Sequence, residues 1–123
     1  MVFEYKRPAD LTIEAYGKKF IIPPKTAALV DGVMQINARS GAKGATAAEQ
    51  ANALRDGIAL FIGEKDAEEI FPRAVIAETV NLDEMSAFWF CLNEMSNKET
   101  EAVIEKYKPR TKDEIKVTSN PKR

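Results

Sequence analysis

Asn81-Leu-Asp-Glu-Met-Ser-Ala-Phe-Trp-Phe-Cys-Leu-Asn-Glu-Met95 is the stretch on which the fold turns. At about 100° per residue, Leu82, Met85, Phe88, Trp89, Leu92 and Met95 fall within one arc of about 140°. Such an arc, unbroken by proline or glycine, marks an amphipathic helix pressed against a core. Asn81 can open it, because its side chain accepts from first-turn amides. Asp83 and Glu84 suit the positive end of the helix dipole. Ser96-Asn-Lys-Glu99 then permits either a restart or one continuous helix, with Val103, Ile104 and Tyr107 as further apolar positions.

Two more helices are expected upstream. Thr46-Ala-Ala-Glu49 is a capping box, the hydroxyl and the carboxylate satisfying each other's backbone amides. Ala47, Ala51, Leu54, Ile58, Phe61 and Ile62 follow as one stripe that ends at Gly63. Before it, Pro24 and Thr26 suit a helix start and Gly41 a helix end. Leu29, Val33 and Ile36 form the stripe between them, with Val30 and Met34 beside it. Gly32 inside this helix costs about 1 kcal/mol relative to Ala. Asp66-Ala-Glu-Glu69 opens a short piece that Pro72 interrupts, and the β-branched run over 73–80 reads as a short helix.

The N-terminal pattern has period two. Leu11, Ile13 and Ala15 alternate with Thr12, Glu14 and Tyr16, Gly17 turns the chain, and Lys19-Phe-Ile-Ile22 continues it up to Pro23-Pro24. A β-hairpin is expected, and because two strands alone are marginal in water it should lie against helices or another chain. Phe3 and Tyr5 belong to an earlier strand or a loose arm. The fold class is therefore α+β, mainly α, with a hairpin and about four helices. A single domain is expected over 1–108, with Leu54, Ile58, Phe61, Met85, Phe88, Trp89 and Leu92 in its core. Residues 109–123 read as a disordered basic tail.

Composition narrows the chemistry. The chain has 123 residues, one cysteine and no histidine. The commonest general base and metal ligand is thus missing, and an internal disulfide is impossible. Lys and Arg number 18 against 19 Asp and Glu. Lys108 to Arg123 carries a net +4, which leaves the first 107 residues at −5. An acidic body matches a nucleic-acid backbone poorly, and no basic reading helix is visible. No apolar run approaches a membrane span and no secretory signal is evident, so a soluble intracellular protein is expected.

Individual candidates for chemistry resolve to simpler roles. Ser40-Gly-Ala-Lys-Gly-Ala-Thr46 has the composition of a phosphate loop without its order, since Lys43 is followed by Gly44. Glu68, Glu69, Asp83 and Glu84 could pair as catalytic acids, but carboxylates at helix starts complement the dipole. Cys91, among aromatics in mid-helix, reads as a small hydrophobe. No catalytic, metal-binding or cofactor-binding residue is expected. Phe90 and Leu60 stand apart. Phe90 points about 100° away from Trp89, onto the face of Asp83 and Glu94, and Leu60 is likewise off its stripe. Single exposed apolar residues are ordinary, yet a helix apolar on two sides usually touches two things. Leu60 and Phe90 are therefore the candidates for a partner or self-association surface.

The order of these parts resembles the tail assembly chaperones of long-tailed (siphovirus-type) bacteriophages, in their short form. Four features carry the resemblance: the hairpin over 11–22, the helix closing with Leu60-Phe-Ile-Gly63, the Asp66–Phe71 piece leading to Asn81-Leu-Asp-Glu-Met85, and the aromatic-bearing final helix before a charged C-terminus. They span residues 10–107. The resemblance implies a mainly helical, non-enzymatic, self-associating protein of the host cytoplasm, absent from the mature virion. Its partners would be the tape measure protein, which it keeps soluble, and the tail tube protein, which it helps recruit. It implies no cofactor, no nucleic acid and no membrane. A head–tail connector or adaptor subunit is the main alternative, and a minor enzyme subunit or regulatory module a third.

Overall fold

Tyr16 and Gly17 reverse the chain with φ of 56° and 73°. Two successive left-handed residues are the signature of the tight hairpin loop whose twist matches its strands. In the computed structural model, which describes residues 2–107, they join β1 (Thr12–Ala15) to β2 (Lys18–Ile21). The strands are antiparallel, with Thr12 opposite Ile21 and Ala15 opposite Lys18. A left-handed tyrosine is strained, and its side chain meets compensating contacts. The Tyr16 ring packs edge-on to Phe71 and Phe88, with centroids 5.6 and 5.2 Å away, and its hydroxyl donates to Glu84 at 2.8 Å. Leu11, Phe20 and Ile22 are buried, so the hairpin leans on the helices as its marginal size requires.

Helix α1 (Ala27–Ser40) begins at Thr26, whose Oγ1 accepts from the Leu29 amide at 3.1 Å. Helix α2 (Ala47–Ile62) begins at the capping box, in which both the Thr46 and Glu49 halves form. Helix α3 (Glu64–Ile70) starts directly after Gly63, two residues earlier than Asp66. Gly63, at φ 95°, ends one helix and reorients the next. The 73–80 segment holds a 3₁₀ turn over 73–75 and one turn of helix, α4 (Ile76–Thr79). Helix α5 (Leu82–Tyr107) runs without a break through Ser96, which settles the choice between restart and continuation. The protein is thus mainly helical, and the expected disordered tail over 109–123 lies outside the described residues.

Helix α2 occupies the centre and packs against α1, α3, α4 and α5. All seven expected core residues are buried, with Trp89 over Gly57 and edge-on to Phe61 at 5.8 Å. Residues 2–10 form neither a strand nor a loose arm. Tyr5 and Arg7 both donate to Glu99, at 2.6 and 3.0 Å, while Arg7 also reaches the Ile22 and Pro23 carbonyls. The arm is strapped along the C-terminal half of α5, where Tyr107 meets Phe3 and Tyr5.

Candidate protein-binding groove

Helices α1 and α5 both rest on α2 but leave a groove of about 380 Å³ between themselves. Leu29 and Val33 of α1 and Trp89 of α5 line its depth. The Trp89 indole donates to Asn37 Oδ1 at 3.1 Å, the one described side-chain hydrogen bond directly joining the two helix bodies. Val30 and Met34, one turn apart on α1, stand on one rim, and Phe90 stands on the other. Met34 is 64% exposed and Phe90 67%. At one end Lys25 Nζ donates to Asn97 Oδ1 at 2.9 Å and to Thr100 Oγ1 at 2.6 Å.

The two residues singled out from sequence are both exposed, but they do not share this groove. Phe90 lines it. Leu60 lies where α2 meets α1, with its Cδ1 2.9 Å from the position a Cβ on Gly32 would take. Gly32 is two residues, about 200° of helix, from both Val30 and Met34, so Leu60 touches the opposite flank of α1. Sequence reading placed Val30 and Met34 beside the α1 stripe without assigning them a surface. Their i, i+4 spacing off the Leu29–Ile36 line was the available signal.

Elsewhere several charged side chains are engaged with one another. Arg55 is wholly buried and donates to Glu64 at 2.7 Å and Glu68 at 2.6 Å, leaving its Nε without a partner among the described residues. Nothing in the α2 stripe announced it, because a buried arginine depends on acids supplied by the next helix. Asp56 accepts from Arg39 at 3.0 Å and from Arg73. Lys18 joins the hairpin to α3 through Asp66 at 3.2 Å and Glu69 at 2.9 Å. Glu68, Glu69 and Glu84 therefore each serve a structural contact. The Tyr16 hydroxyl is pushed up to about 12, first by burial and then by its bond to Glu84.

Cys91, read as a small hydrophobe among aromatics, is exposed: two positions beyond Trp89 turn it about 200° away from the core. Among the described residues no group of three or more His, Cys, Asp or Glu is placed to hold a metal ion, and no helix is long and apolar enough to cross a membrane. The groove offers shape, apolar area and hydrogen-bonding amides. Comparison with known proteins gives no match, whether to family models, to curated sequences or to solved structures.

Proposed function

We propose that this protein is a phage tail assembly chaperone that binds and solubilises the tape measure protein and helps recruit tail tube subunits. It would act without catalysis, in the host cytoplasm, and leave before the virion is complete. The observation that carries the reading is the open groove between α1 and α5, where Val30, Met34 and Phe90 stand exposed around a Trp89 floor. The order of hairpin, helices and aromatic final helix adds the resemblance described above.

Magnitudes suit a transient coat. Fully covering one large apolar side chain contributes roughly 1.5–3 kcal/mol, and association costs at least about 4 kcal/mol. One groove on one client helix therefore binds weakly. Copies that also touch each other raise one another's effective concentration along a long client, without tight individual contacts. Weak single sites can then yield to arriving tube subunits. A client that is long, helical and apolar enough to aggregate is the kind of protein that needs such a coat.

Co-expression tests the proposal. The tape measure protein should be soluble with the full chain, insoluble without it, and poorly soluble with Phe90→Glu or Met34→Glu chains that themselves remain folded. A tape measure protein indifferent to this chain would reject the chaperone reading.

A further inference from the structure

Lys25 closes one end of the α1/α5 groove, its ammonium in salt-bridge contact with none of the described carboxylates. Both acceptors of its ammonium, Asn97 and Thr100, are neutral. Among the described residues no carboxylate oxygen lies within 4.0 Å of it. Arg7, Lys18, Arg39, Arg55 and Arg73 each face an acid, while among the described residues Lys6, Lys19, Lys43, Lys65, Lys98 and Lys106 are as free of one as Lys25. What sets Lys25 apart is its place in the groove. Glu99, on the same helix as those acceptors, is engaged by Tyr5 and Arg7. Among the described residues Lys25 is also the one charged residue lining the groove, whose other polar rims are Asn37, Asn93, Ser96 and Asn97.

From this we infer that the groove takes an acidic amphipathic helix of a partner protein, its apolar stripe on Val30, Met34 and Phe90 and a carboxylate on Lys25. An ammonium has three donors, and two are engaged, so a carboxylate can accept the third without breaking either existing bond. The occupant is a helix because an extended segment would bring unpaired backbone groups over the apolar floor. A helix satisfies its own, and a third helix can nest between two that share a support. Phe90 to Asn97 spans about 10 Å of helix axis, enough for two turns of the occupant. A basic helix would meet Lys25, the charged group at the groove's end, as a like charge. The inference rests on the groove being the client site and names the chemistry of the client helix.

The test titrates the full chain with three stapled helical peptides of about four turns, followed by fluorescence of Trp89, the single tryptophan. The peptides share a leucine stripe and differ at one end position, which is Glu, Gln or Lys. The Glu peptide should bind about threefold to fivefold more tightly than the Gln peptide, and the Lys peptide most weakly. The preference should shrink with added salt and vanish in Lys25→Gln, while Phe90→Glu should weaken all three peptides. Equal affinity for the three peptides, a preference that survives Lys25→Gln, or no binding of any peptide overturns the inference. So does competition by a second copy, seen as peptide affinity that falls when protein concentration rises. Solubility of the tape measure protein on co-expression is read separately, so a groove indifferent to charge and a chain that is no chaperone give different results.

Discussion

At Gly57 there is no room for a methyl group. A Cβ would lie 2.5 Å from Trp89 Cζ3 and 2.8 Å from Ile36 Cγ2, both parts of buried side chains that cannot swing aside. Gly57→Ala should therefore lower stability by about 1–3 kcal/mol, despite the helix propensity it adds. Gly32 is the counter-case, because a Cβ there meets only the end of the half-exposed Leu60 side chain. Gly32→Ala gains about 1 kcal/mol of propensity and should be neutral or stabilising. Urea unfolding of the two variants side by side checks the pair, and the reverse order would reject this packing. Trp89→Ala should cost roughly 3–5 kcal/mol, and an unshifted melting curve would remove Trp89 from the centre of the core. The Trp89 arc was readable from spacing alone. Gly57 was not, since a glycine inside a helix reads as a weak point until the ring above it is located.

Helix α5 is held at both ends by distant parts of the chain, the hairpin at one and the N-terminal arm at the other. Burial pushes the Glu99 carboxyl up, but the Tyr5 and Arg7 hydrogen bonds outweigh it and hold the group below its ordinary value of 4.5. Asp56 is also lowered, with Arg73 and Arg39 outweighing its burial, and Arg55 holds Glu64 down. A depressed carboxylate contributes its stability in full above the ordinary value and loses it as pH falls through the folded value. The melting temperature should thus fall as pH drops below about 4.5, the ordinary glutamate value. Glu99→Gln should cost on the order of 1 kcal/mol at neutral pH, flatten the acid decline and speed amide exchange in the last turns of α5. An unchanged acid profile in Glu99→Gln would mean that the strap carries none of it. Tyr16 works in the opposite direction: its raised value leaves stability intact below 10 and lets it fall as pH climbs to about 12.

Over the whole molecule, the groove and the hairpin are separate apolar features. A two-stranded sheet leaves an outer edge on each strand, and Ile21 on β2 is 72% exposed. Self-association is proposed to run through that edge, leaving the groove for the client. Sedimentation at tens of micromolar should show species heavier than the 13.7 kDa chain. Ile21→Lys should shift them toward monomer, and Phe90→Glu should not. A profile of monomer alone would reject self-association, and an oligomer broken by Phe90→Glu would move the interface into the groove.

Much of this architecture is local and was legible as such. The caps at Thr26, Thr46 and Asn81, the stripes on α2 and α5, and the period-two run before Gly17 each depend on residues within one or two turns of each other. Their spacing determines element type and which face is buried, whatever lies opposite. The tertiary structure decided everything that needs a partner far along the chain. Glu99 becomes a strap point only when Tyr5 and Arg7 arrive from more than 90 residues away. Arg55 can be buried only because α3 turns back at Gly63 to supply Glu64 and Glu68. Leu60 and Phe90 looked equivalent on their own helices, and the placement of α1 between them put one on a packed seam and the other on an open groove. Periodicity states which way a side chain points, and only the meeting of helices determines what it finds there.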